Sequence, residues 1–298
     1  MTFDFKETLY TALHSALLVL KLIIPLFIFA DILLYMEVLS PISFIFEPTT
    51  DMLHLPKEAA LGIAAGLLFN LYAAIAFLAP LGLSPYEWTI LATFLGVAHS
   101  LIVENAIMKK LGIAHWYAWV LRLGIGFLAV LPLTFIPQSY FTSNAKESEV
   151  VERVIYNNFS EMLVGSFSNA TILSIKVIIL VTLIIFLMNY IKSMKFMQKY
   201  QKNTNSFFSI VTGLVLGITY GAGILIFEAK KGSLTKVDIF YIATFLMICH
   251  SIIEDTLLFV IFGANGWLVV SIRLIFAFIF ATILTIMYKR KWYAKNTI

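Results

Sequence analysis

Charge is scarce in this sequence. Asp, Glu, Lys and Arg make up 13% of its 298 residues, about half the share carried by soluble domains. Hydrophobic residues make up 60%, and the mean hydropathy is +0.92. Such a chain cannot cover itself in water-solvated side chains, which excludes a soluble globular domain and leaves an all-α polytopic membrane protein. Cysteine is nearly absent. Cys249 alone forms no intramolecular disulfide, and its apolar surroundings give it the character of a small buried residue. A phosphate-binding P-loop, G-x-S-x-G, H-E-x-x-H and a paired C-x-x-C are all missing. The expectation is a protein that is not an enzyme and holds no cofactor and no resident metal. A net charge of +4 does not point to nucleic acid, because Lys and Arg sit beside the ends of hydrophobic runs, where they set membrane orientation. Residues 1–10, with Asp4, Lys6 and Glu7, lack a basic leader and a cleavage site before Lys21, and read as the start of a first helix. Nothing accompanies the sequons at Asn158 and Asn169 to indicate glycosylation.

What the chain does have is apolar length. About 20 helical residues cross a hydrocarbon layer about 30 Å thick. Runs of that length lie at 11–37, 58–80, 86–108, 114–137, 170–191, 207–228, 237–263 and 266–288. They fall into two sets of four, divided by the polar stretch 138–166 with Lys146, Glu147, Glu149, Glu152 and Arg153. The organisation read from this is a first membrane repeat over 1–137, a linker over 138–166 and a second repeat over 167–298. The copies align: Lys21-Leu-Ile-Ile matches Lys176-Val-Ile-Ile, and 66–72 matches 213–220.

Charge then constrains topology. If all eight runs crossed, Lys192, Lys195, Lys199 and Lys202 would lie opposite Lys289, Arg290, Lys291 and Lys295, against the positive-inside rule. If the second run of each half is instead a re-entrant hairpin, each half crosses three times and the second half is inverted. Lys109, Lys110, Lys230, Lys231 and Lys236 then join those clusters and both termini in the cytoplasm, with Lys57 outside, in a cell inner membrane. Gly62, Gly66, Ala73 and Ala74 in one run, and Gly213, Gly217, Gly221 and Gly223 in the other, suit a broken backbone. They equally suit close packing of spanning helices. Asn70 with Tyr72, and Thr219 with Tyr220, would mark the hairpin tips, where free backbone groups hold ligands. The stretches 41–56 and 192–206 suit helices lying in the interface.

The polar signature is itself duplicated. His99-Ser100, Glu104-Asn105 and Arg122 recur as His250-Ser251, Glu254-Asp255 and Arg273, with 23 positions between histidine and arginine in each copy. Ionisable groups at membrane depth are expensive and point to function. On a helix, a spacing of four stacks Ser100 over Glu104 and Ser251 over Asp255, and places His250 and Glu254 on one face. Asn105 is matched by Thr256, and Glu254 is an additional acid. Arg122 and Arg273 are the natural partners of the carboxylates, either as purely structural pairs or as part of a ligand site. The histidines read as hydrogen-bonded core groups, as proton relays or, since two His and three carboxylates suit a divalent transition ion, as ligands if the halves meet. Lys21 and Lys176 sit within the first helix of each half, where snorkelling relieves a lysine's charge near a helix end; Asp31 lies ten residues beyond Lys21, and His14, His54 and His115 lie near segment ends.

The runs Gly66-Leu-Leu-Phe-Asn70-Leu-Tyr72-Ala-Ala, Leu91-Ala-Thr-Phe-Leu-Gly-Val-Ala-His99-Ser100-Leu-Ile-Val-Glu104 and Leu121-Arg122-Leu-Gly124 resemble bacterial nucleoside recognition (Gate) domain membrane proteins. That resemblance implies kinship with the gate segments of concentrative nucleoside transporters and ferrous iron permeases. In the former, an interfacial helix, a re-entrant hairpin, a broken helix and a helix recur in inverted copies. The second half departs from the pattern: Asn70 has no amide counterpart, and Asn105 becomes Thr256. The expectation is a carrier for a small polar solute, nucleoside-like or anionic, coupled to H⁺ or Na⁺ and working by alternating access. Glu104, Asp255, His99, His250, Ser100, Ser251, Asn105, Glu254, Asn70, Arg122 and Arg273 would form its binding site. The partners are substrate and bilayer, with a homo-oligomer left open. A divalent-cation permease and a non-transporting subunit of a larger assembly are the alternatives.

Overall fold

The computed structural model describes residues 4–37, 47–143, 156–194, 206–217 and 234–296, with only isolated residues of 218–233. The described residues contain helices and no strand: α1 (Phe5–Tyr35), α2 (Glu47–Met52), α3 (Ala60–Leu68), α4 (Leu71–Leu78), α5 (Pro85–Ala98), α6 (Leu101–Lys109), α7 (His115–Thr134), α8 (Gln138–Ser143), α9 (Phe159–Ser193), α10 (Ser206–Leu216), α11 (Lys236–Ile248), α12 (Ile252–Val260) and α13 (Gly266–Asn296). Among the described residues, six stretches have the length and hydropathy to cross a membrane: Phe5–Tyr35, Pro85–Lys109, His115–Thr134, Phe159–Ile191, Lys236–Val260 and Gly266–Arg290. Each half supplies three of them.

The run at 58–80 does not cross. Its helices α3 and α4 hold nine and eight residues, about 12–14 Å each, well short of the hydrocarbon. Asn70 between them is extended and caps α4, its side-chain oxygen accepting from the Ala73 N–H at 2.9 Å. A Cβ at Gly62 would collide with Leu78, and one at Gly66 would lie 3.0 Å from the Ala74 Cβ. Both contacts are centred on residue 70, so α3 and α4 fold back on each other as an antiparallel hairpin with Asn70 at its tip. The small residues bring its two arms together, so the two readings of the glycines are one. In the second half α10 ends at Gly217, whose φ of +88° is the left-handed conformation that glycine adopts without steric cost. Thr219, Tyr220 and Gly221, read as the tip of that run, lie outside the described residues. So do most of 192–206 and residues 41–46 of the other stretch read as interfacial; from 47 to 56, α2 and a turn bury Leu53 and Leu55.

The linker is shorter than its polarity suggests. Helix α9 starts at Phe159, within 138–166, because Asn158 caps it and accepts from the Glu161 N–H at 2.8 Å. The polar first turn extends a helix whose apolar run begins later. At its other end, α8 packs Phe141 against Tyr86, ring centroids 5.1 Å apart.

Helices at the same place in the two copies run antiparallel. At one end of the α1–α9 pair, Phe5 meets Phe186 at 5.5 Å and the Asn189 amide donates to the Thr8 hydroxyl at 3.1 Å; at the other, Tyr35 meets Phe159 at 6.1 Å. The start of α5 meets the segment after α12: Trp88 stacks on Phe262 at 4.5 Å, and the Asn265 N–H donates to the Thr89 hydroxyl at 2.9 Å. The start of α11 meets the end of α13 and the start of α7, Phe240 stacking on Tyr288 at 4.3 Å beside Tyr117 at 5.3 Å. The two broken spans are the most enclosed, 72% and 56% buried, against 33% each for Phe5–Tyr35 and Phe159–Ile191. They form the centre, and α1 and α9 form a flank.

Lys109, Lys110, Lys236, Lys289 and Arg290 thus share one end of the bundle, while the hairpin base with Lys57 lies at the start of α5, the other end. With Cys249→Ala as background, single cysteines at Lys110 and Lys236 are expected to react with a membrane-impermeant maleimide from one side of sealed vesicles, and a cysteine at Lys57 only from the opposite side. Labelling of 57 and 110 from the same side would mean that the hairpin crosses.

Candidate functional site

Each polar signature sits on a helix break rather than on a continuous helix. Between α5 and α6, His99 is extended and Ser100 takes φ +51°; between α11 and α12, Ser251 takes φ +44°. The left-handed conformation costs a non-glycine residue about 1–2 kcal/mol, so something must hold it. The hairpin does so in the first half: the Ser100 N–H donates to the Gly66 carbonyl and its hydroxyl to the Phe69 carbonyl, both at 2.9 Å. In the second half the Ser251 N–H faces the Gly213 carbonyl at 3.4 Å. The stacking expected from a spacing of four survives only because the new helix begins there, with Glu104 N–H bonded to Ser100 O and Asp255 N–H to Ser251 O.

A break frees carbonyls that have no water to turn to. Arg122, fully buried, donates from Nε to the Val97 carbonyl at 2.8 Å and from Nη2 to the His99 carbonyl at 2.7 Å. Arg273, equally buried, donates from Nη2 to the His250 carbonyl at 2.8 Å. The same Nη2 atoms meet the acids: Glu104 Oε2 lies 2.8 Å from Arg122, in an orientation that makes it an ion pair rather than a hydrogen bond, and Asp255 Oδ2 accepts from Arg273 at 3.2 Å. Each guanidinium therefore ties the carboxyl end of one half-helix to the first turn of the next, a favourable sign of charge at both termini.

The halves then meet. Nε2 of His99 and Nε2 of His250 each lie 3.2 Å from the same Glu104 Oε1, with ring centroids 5.1 Å apart. Their Nδ1 atoms face the Leu95 and Leu246 carbonyls at 2.7 and 2.8 Å. A carbonyl only accepts, so both Nδ1 atoms carry hydrogen, and each Nε2 offers a lone pair whenever its ring is neutral. The Arg273 guanidinium lies over Gly96 of the other half, where a Cβ would be 3.1 Å from its Cζ.

The remaining expected residues divide. Glu254 accepts from the Tyr72 hydroxyl at 3.0 Å; it bridges to the first half's hairpin and does not join His250. Asn105 is buried with its amide unpartnered among the described residues, as is the Thr256 hydroxyl at the matching position. Asn70 uses its side-chain oxygen as a cap. Lys21, Lys176, His14, His54 and His115 are exposed and away from the cluster, and Asp31 faces the Tyr156 hydroxyl at 3.5 Å on the flank. The sequence reading missed Gly96, and nothing in one sequence separates it from a packing glycine. Residue chemistry did not mark the breaks, for neither Gly nor Pro stands at them, although the resemblance implied a broken helix in each half.

No protein-family model matches this chain, and no solved structure matches it. It is 25% identical over 264 residues to the uncharacterized membrane protein YvoD of Bacillus subtilis (strain 168), 85% of each chain being covered. That likeness and the six apolar spans make this a membrane protein.

Removing one partner of a buried ion pair costs about 3–5 kcal/mol, whereas apolar replacement of both is tolerated. Glu104→Gln and Arg122→Met are each expected to lower the unfolding midpoint in detergent strongly, and the double variant to recover part of that loss. Damage equal to the sum of the two singles would show that the groups do not act as a pair.

Proposed function

We propose that the chain is a carrier that binds a small polar solute where its two broken helices meet and exposes it alternately to either side of an inner membrane. The observation that carries this reading is the shared contact of Glu104 with an imidazole from each half. Each acid already has its arginine, so a purely structural pair needs neither histidine, nor Glu254, nor the unpartnered Asn105 and Thr256. Polar groups in excess of pairing, set at breaks midway along two spans, are the pattern of membrane ligand sites. The antiparallel placement of equivalent helices supports inverted repeats, and inverted copies exchange conformations to open first one side and then the other. Tyr72 and Glu254, joining the hairpin to α12, form a contact that such an exchange would break. Glu104 and Asp255 are the seats for a coupling H⁺ or Na⁺. The basic end of the bundle faces the cytoplasm by the positive-inside rule. Kinship with nucleoside recognition (Gate) proteins belongs to the same reading. A nucleoside-like cargo rests on that kinship alone, since Asn70 has its carbonyl engaged in capping.

With Cys249→Ala as background, a cysteine at Ser100 is expected to react with a membrane-impermeant reagent added to either side of sealed vesicles. Tyr72→Phe is expected to raise the rate severalfold from one side only. Absence of labelling from both sides would overturn the carrier and favour a sealed, non-transporting subunit.

A further inference from the structure

We propose that the central site binds a divalent transition-metal ion through His99 Nε2, His250 Nε2 and an Asp255 carboxylate oxygen, with Glu104 Oε1 as a fourth donor, and that such ions are its cargo. The cargo clause rests on the carrier reading; the binding clause does not.

Donor geometry comes first. A ring nitrogen of His99, a ring nitrogen of His250 and an oxygen of Asp255 all lie within 4.8 Å of one another, and the nitrogens that face the centre are the Nε2 atoms, since both Nδ1 atoms turn to backbone carbonyls. Ligands about 2.1 Å from one ion in a tetrahedral site stand about 3.4 Å apart, so the donor separations must shrink by at most about 1.4 Å to close the sphere. Glu104 Oε1, at 3.2 Å from both Nε2 atoms, already has a spacing that fits two ligands of one ion.

Tautomer comes second. Metal-bound histidines almost always donate their other ring N–H to a carbonyl or carboxylate, which fixes the ring and turns a lone pair on the metal. Here both Nδ1 atoms are engaged by backbone carbonyls, of Leu95 at 2.7 Å and Leu246 at 2.8 Å. Both carbonyls come from the last turn of a half-helix that the break leaves in place. With neutral rings, two nitrogen lone pairs and a carboxylate oxygen converge with no hydrogen among them. Three acceptors facing one another call for a cation, either a metal ion or the proton that turns one ring into an imidazolium.

The second shell also suits cargo. Arg122 holds Glu104 by Oε2 and Arg273 holds Asp255 by Oδ2, leaving Oε1 and Oδ1 for an ion. Two carboxylates and two guanidinium groups cancel, so the donor set is neutral and affinity comes from nitrogen lone pairs rather than from accumulated negative charge. That favours Zn²⁺ or Co²⁺ over Mg²⁺ and Ca²⁺, which prefer all-oxygen cages. It also makes the ion releasable.

The test uses untagged full-length protein in detergent. Titration with Co²⁺ is expected to give visible d–d absorption saturating at one ion per chain, displaced by Zn²⁺ and not by Mg²⁺. His99→Gln and His250→Gln are each expected to weaken binding at least tenfold while eluting and melting like the unsubstituted protein without metal, and Cys249→Ala is expected to leave binding unchanged. No Co²⁺ signal, equal displacement by Mg²⁺, or unchanged affinity in both histidine variants would overturn the site. Zn²⁺ entry into proteoliposomes, read by an enclosed fluorescent chelator, tests cargo separately. Binding without entry leaves the site standing and removes the cargo role. Carriage of some other solute by protein that binds no Co²⁺ removes this inference alone and leaves the carrier.

Discussion

The structure depends on two buried guanidinium groups. A helix that breaks inside a bilayer leaves carbonyls unpaired in a solvent that offers them nothing. Arg122 and Arg273 supply the missing donors at the two breaks, and the acid five positions beyond each histidine balances their charge. Once those carbonyls are satisfied, the serines can sit in the left-handed region, the next half-helix can start at a new angle, and the histidines can turn inward instead of toward lipid. Charge that would be prohibitive at membrane depth becomes the means by which irregular backbone is kept there.

The two matched polar signatures sit at matching helix breaks, and the differences between them make the site unequal. Both copies keep the His, Ser, acid and Arg positions, yet Glu104 faces both histidines while the Asp255 carboxylate stands beside them. The shorter aspartate reaches less far across the interface. Tyr72 engages Glu254, an acid whose matching position in the first half is Val103. Gly96 opens room for Arg273 to lean across the interface, whereas the corresponding position in the second half carries Met247. The cluster therefore has an approximate two-fold frame with chemically different sides.

Much of this was legible in the sequence, for reasons that can be traced to particular residues. The spans follow from apolar length, and the first hairpin follows from where Lys57 and Lys110 must lie once Lys192 and Lys289 are given one side. The pairing of Glu104 with Arg122 follows from the cost of leaving either alone. The breaks were not legible from residue chemistry, because helices usually break at Gly or Pro; here the freed carbonyls are met by an arginine 23 residues beyond each histidine. The reach of His250 to Glu104, 146 residues apart, and the Tyr72 to Glu254 contact needed the third dimension. The early start of α9 was hidden because a capping asparagine and a polar first turn look like linker when hydropathy is the only guide.

The α1–α9 pair introduces a variable of another kind. At 31 and 35 residues these helices are about 46–52 Å long, far more than the apolar depth they cross, so the pair must lean or protrude, to a degree set by the surrounding lipid. Because α1 packs against the second arm of the hairpin, with Phe29 on Phe77 at 6.3 Å, any lean of the pair bears on the hairpin. Acyl-chain length thereby acts on the polar centre from a distance, and the same protein would work differently in thin and thick bilayers.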